Sequence, residues 1–89
     1  MKEWKMPSDS NVTIKLDGGR DDANREGYHV NVYFVGKGRI GRITVYKWGG
    51  VEWTSHPSCL NHRQLNEIES FVRSIASEVI REYDSIRGN

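Results

Sequence analysis

The sequence predicts an α+β fold: a four-stranded antiparallel β-meander with one long C-terminal helix packed on one face, ββββα in order. Three observations predict it. Apolar residues recur at every second position through much of the first half, glycine-rich breaks separate these runs, and the last third changes to three- and four-residue steps. The 89 residues leave room for one core. We read an N-terminal arm over 1–10 and a single α+β domain over 11–89.

Residues 1–10 mix charges with Trp4, Met6 and Pro7 and read as an extended arm whose two apolar side chains tuck against the body. Val12, Ile14 and Leu16 then alternate with Thr13 and Lys15, the pattern of a half-buried strand. DGGRDDANREG, Asp17 to Gly27, has three glycines and no large apolar residue, which makes it a solvated loop. It groups Asp17, Asp21 and Asp22, but the odd-position oxygen ligands and closing glutamate of an EF-hand are missing, so it reads as a turn rather than a calcium site.

In the second strand Tyr28, Val30, Val32 and Phe34 form the core face, with His29, Asn31, Tyr33 and Val35 opposite. The third strand, about Arg39 to Trp48, has Ile43 and Val45 in phase and Ile40 out of phase with both. Gly41 stands between them, where a β-bulge restores the register. Arg42, Thr44, Tyr46 and Trp48 then face away from the core. Gly49-Gly50 predicts a two-residue hairpin turn with positive φ angles, and Val51 to Thr54 a short fourth strand with Val51 and Trp53 inward.

Asn61 and Gln64 have the spacing of a capping box, with Leu60 and Leu65 placed as a hydrophobic staple. From about His62, Leu65, Ile68, Val72, Ile75, Ala76, Val79, Tyr83 and Ile86 form one stripe, Glu69 and Arg73 an outer i,i+4 pair, and Gly88 a left-handed stop. Some 26 helical residues extend about 39 Å, against about 27 Å for an eight-residue strand, so the helix overhangs its sheet. Phe71 and Ile80 lie beside the main stripe. This surplus apolar surface predicts burial by a second subunit or another partner, a homodimer through the C-terminal helix running along Ser70, Phe71, Ser74, Ser77 and Ile80.

Composition narrows the function classes. Charged residues are 28% and hydrophobic ones 36%, the balance of a folded globular chain. A lone cysteine, Cys59, excludes an intrachain disulfide, and MKEWKMPSDS has no apolar run suited to a signal peptide, so the expected setting is cytoplasmic. No window nears the roughly 18 apolar residues that span a bilayer. Residues 1–50 carry nine Lys or Arg against six Asp or Glu, a balance of +3, and residues 51–89 carry four against six, or −2. A broadly basic nucleic-acid binder and an acidic nucleic-acid mimic are both excluded, and the electropositive bias is local. It lies in Tyr28 to Trp48, which holds Lys37, Arg39, Arg42 and Lys47 with no Asp or Glu.

Three groupings carry candidate chemistry. Gly36, Gly38 and Gly41 spell G-x-G-x-x-G, but a dinucleotide site needs the pattern to open a helix and here it opens the β-rich RITVYKW. A protein-kinase glycine loop lies between strands, yet the chain lacks HRD and DFG elements and is far too short. The pattern reads as a hairpin turn with a bulge. HPSCLNH spaces His56, Cys59 and His62 as zinc ligands or as a thiol beside a histidine, but only three ligands are present. No metal and no cofactor are expected. Tyr33, Arg42, Tyr46 and Trp48, with Lys37 and Arg39 at the tip, make a basic and aromatic outer face able to contact a macromolecule. KGRIGRITVY does not fit the RNA-recognition-motif consensus, since Arg39 stands at a position requiring an aromatic.

The expected function is a non-enzymatic protein-binding module that blocks or modulates a larger macromolecular machine, by analogy with phage and mobile-element accessory proteins and inhibitors. The alternative is a nucleic-acid-binding module using the hairpin 33–48. A second alternative is a small zinc or thiol site at His56, Cys59 and His62.

Overall fold

The computed structural model describes residues 3–16 and 27–87, with the backbone alone at 86 and 87. Among these residues the elements are β1 (Glu3–Lys5), β2 (Val12–Leu16), β3 (Gly27–Phe34), β4 (Gly38–Tyr46), β5 (Val51–Ser55), α1 (His62–Ser74) and α2 (Ala76–Arg87). Each strand pairs antiparallel with the next, giving one open sheet in the order β1-β2-β3-β4-β5. The α+β class holds, with two corrections: five strands replace the expected four, and two helices replace one long one. The loop carrying Asp17, Asp21 and Asp22, and the helix stop at Gly88, lie outside the described residues.

The additional strand comes from the N-terminal stretch. Trp4 pairs with Ile14, which turns its ring to the core side and sends Glu3 and Lys5 to the other face. The indole N–H donates to Glu78 Oε1 on α2 at 3.1 Å, and Met6 is buried as well.

The helix breaks at Ile75, whose φ of −107° and ψ of 11° leave the helical range. The Ser74 hydroxyl donates to the Phe71 carbonyl at 2.6 Å, the oxygen that the Ile75 N–H also approaches at 3.2 Å. A side-chain donor competing for a helical carbonyl bends the chain. The Ile75 N–H tightens to Val72 O at 3.1 Å, and α2 resumes with Val79 N–H donating to Ile75 O at 3.0 Å. α1 therefore packs on β5 and β4, and α2 on β4 and β3. Phe71 and Ile80 are half-buried against the core, so much of the apolar surface counted as surplus is covered within the chain. Ser70, Ser74 and Ser77 are exposed.

The predicted capping box is present: Gln64 N–H donates to Asn61 Oδ1 at 2.8 Å, and Asn61 N–H to Gln64 Oε1 at 3.0 Å. Leu60 and Leu65 both pack on the core. The predicted bulge is present too. Val32 pairs with Gly41 and Tyr33 with Arg39, leaving Ile40 as the extra residue of β4. In β5, Thr54 is extra in the same way, because Arg42 pairs with Ser55 and Ile43 with Trp53.

The β4–β5 turn differs from expectation. Of the Gly49-Gly50 pair only Gly49 has positive φ, 101°. Gly49 N–H donates to Tyr46 O and Tyr46 N–H to Gly50 O, both at 2.8 Å, closing a three-residue loop over Lys47, Trp48 and Gly49.

Val12, Ile14, Val30, Val32, Ile43 and Val45 on the sheet meet Ile68, Val72 and Val79 from the helices, and all are essentially inaccessible to solvent. Tyr28 and Tyr83 stack at 4.9 Å between centroids across this interface. Tyr28 Oη donates to Asp84 Oδ1 at 2.9 Å, Tyr83 Oη to His29 O at 2.6 Å, and Trp53 Nε1 to Leu65 O at 3.2 Å. Both helices are thus tied to one face of the sheet. No helix among the described residues is long and apolar enough to cross a membrane.

Candidate functional site

The other face of the sheet is covered by no described element, and strand alternation dictates what it presents. Its side chains come from the odd positions of β1, β2 and β3 and, beyond the bulge, from Arg42, Thr44 and Tyr46 of β4. The bulge brings Arg39 to the same side, since Tyr33 pairs with Arg39 and Asn31 with Arg42. Glu52 and Thr54 of β5 complete the surface.

The six residues expected to contact a partner are spread along the β3–β4 hairpin and the turn that follows it. Lys37 lies in the β3–β4 turn and Trp48 in the β4–β5 turn, at opposite ends of a nine-residue strand about 30 Å long. Tyr33 and Arg39 are neighbours at the first end, Arg42 is central, and Tyr46 and Trp48 form the second end.

At the second end the Tyr46 and Trp48 rings stack at 5.6 Å with 10° between planes. Trp48 is 80% exposed; among the described residues only Val35 joins it as an exposed large hydrophobic. The Trp48 ring lies over the Gly50 backbone, where a Cβ would meet it at 2.0 Å. Tyr46 Oη donates to Glu52 Oε1 at 2.8 Å, which pins the inner ring of the stack. At the first end Lys15 Nζ stands 4.7 Å from the Tyr33 centroid and 3.8 Å from Glu3 Oε1. Arg39 Nη1 donates to the Oδ1 of buried Asn31 at 3.4 Å. Between the ends, Arg39, Ile40, Gly41, Arg42, Thr54 and Ser55 line a cleft of about 390 Å³ at the paired bulges.

Sequence reading missed Lys5 and Lys15, which extend the basic character across β1 and β2, and Glu3 and Glu52, which temper it. The parity of Lys15 against Ile14 was the available signal. With the Lys37 turn the face carries Lys5, Lys15, Lys37, Arg39 and Arg42 against Glu3 and Glu52. The helices carry Arg63, Arg73 and Arg81 against Glu67, Glu69, Glu78, Glu82 and Asp84 over 62–85, so the two faces differ in sign.

The remaining groupings are placed elsewhere. G-x-G-x-x-G spans the β3–β4 turn, with positive φ at Gly36 and Gly38, and continues into β4; no helix follows it. His56, Cys59 and His62 are exposed, and His56 stacks on Trp53 at 6.0 Å. Among the described residues no three His, Cys, Asp or Glu side chains lie close enough to hold a metal ion. Comparison with protein-family models, with curated proteins and with solved structures finds no match for this chain.

Proposed function

We propose that this chain is a non-enzymatic protein-binding module whose open sheet face docks on a larger macromolecular machine and blocks or modulates it. One observation carries the reading: a stacked Tyr46–Trp48 pair, its Trp 80% exposed, on a face that also presents Arg39 and Arg42. Trp, Tyr and Arg are the residues that dominate protein-interface energetics, because each offers large contact area with a polar handle. The excess of cations on this face suits a partner with an acidic surface.

The same rings and cations support a second reading, single-stranded nucleic acid, in which bases stack and phosphates meet Lys and Arg. The Glu52 carboxylate bonded to Tyr46, and Glu3 at the far edge, favour protein instead, since both would repel a run of phosphates. The test compares wild type with Trp48→Ala and with Arg39→Glu/Arg42→Glu, by affinity capture and by oligonucleotide binding at low and moderate salt. We expect a captured protein that both variants lose and no oligonucleotide binding even at low salt. An unchanged partner set would clear the face of this role. Oligonucleotide affinity falling steeply with salt would establish the second reading.

A further inference from the structure

We infer that the cleft at the paired bulges is a carboxylate receptor, in which Arg39 and Arg42 clamp an Asp or Glu side chain of the protein partner; this rests on the docking reading above. Residues three apart on a regular strand point to opposite faces. Here the extra residue Ile40 cancels one step, so that Arg39 and Arg42 share a face and line one cleft. Bulges re-aim side chains in this way at functional surfaces. The matching extra residue of β5 sets Thr54 and Ser55 along the opposite wall.

Asn31 lies opposite Arg42 in the strand pairing, is buried, and accepts from Arg39 Nη1 at 3.4 Å, so Arg39 is oriented from beneath. About 390 Å³ is ample for a carboxylate and its methylene stem. A guanidinium presents parallel N–H groups that match the two oxygens of a carboxylate, which a point-charged ammonium does not. A phosphate would fit the same fork, but on a nucleic acid it brings neighbouring phosphates across a face that holds Glu52 and Glu3. A single acidic side chain brings no such neighbours.

The test uses the full chain at low salt, titrated by heteronuclear NMR with a terminally blocked octapeptide of one glutamate among glutamines, a blocked octaglutamine peptide and an eight-nucleotide oligothymidine. We expect the one-glutamate peptide to move the amides of 39–42 and 54–55 and octaglutamine to leave them still. Arg39→Lys/Arg42→Lys keeps the charge and the rest of the spectrum, and removal of the fork raises Kd about tenfold. A lysine variant that binds the one-glutamate peptide as tightly as wild type would overturn the inference, as diffuse attraction would then suffice. Shifts confined to other residues, or tighter seating of oligothymidine in the cleft, would overturn it as well. Peptide seating that survives in a chain capturing no protein would separate the cleft from the docking reading.

Discussion

Gly41 faces the core where β4 and β5 both carry an extra residue, and a Cβ there would stand 2.6 Å from the Ser55 carbonyl and 2.9 Å from the Trp53 ring. The close neighbour is backbone, which has little room to yield. Gly41→Ala is therefore expected to lower stability by about 1–3 kcal/mol, the range for overpacking. The midpoint of urea unfolding checks this; an unmoved midpoint would mean the β4–β5 pair parts without cost. Trp48 is the opposite case. Its ring rests on Gly50 and Tyr46 but is 80% exposed, so Trp48→Ala should change stability by no more than about 0.5 kcal/mol. The same change should cost about 2 kcal/mol or more of partner affinity, as interface anchors do. Urea unfolding and a binding isotherm on one preparation measure both.

At the scale of elements, the capping box and β1 are the joints to test. Asn61 accepts from the first turn of α1, and Asn61→Ala should cost about 1 kcal/mol. Trp4 contributes most of the burial in a three-residue strand and donates to Glu78 across the layers. Trp4→Ala should cost about 3 kcal/mol, near the lower end for a buried Trp, because β1 is an edge strand. Thermal unfolding checks each, and a loss smaller than half a kcal/mol at Trp4 would mean that β1 contributes little to the core. The two joints also differ in how far sequence exposes them. Asn61 and Gln64 satisfy each other within one turn, so their spacing suffices, and the phase jump from Ile40 to Ile43 announces the bulge. β1 has only three residues, too few for alternation to register, and its place depends on Ile14 ten positions away. Nothing in Ser74-Ile75-Ala76 interrupts the apolar stripe, and the break turns on one hydroxyl choosing the Phe71 carbonyl. The β4–β5 turn misleads for a related reason: either glycine can take positive φ, and only the closing hydrogen bonds select Gly49.

The whole molecule is a two-layer body with unlike faces. Helices that carry more acids than bases close one side of the sheet, and the other side offers cations, a stacked ring pair at one end, the Tyr33 ring beside Lys15 at the other and a cleft between them. The individual residues of that side were largely visible as the outward phase of β3 and β4. Their arrangement was not, because Lys5 and Lys15 join it through pairings remote in sequence, and Lys37 and Trp48 are held apart by the length of β4. The proposed docking of a protein on this open side can be tested in one step. The direct measurement places a photo-crosslinking side chain at Thr13, on the open face, or at Asn66, exposed on α1, and identifies the adducts formed in cells. Nuclease-resistant protein adducts are expected from Thr13 and none from Asn66; adducts from Asn66 alone, or Thr13 adducts that nuclease removes, would mean that no protein docks on the open side.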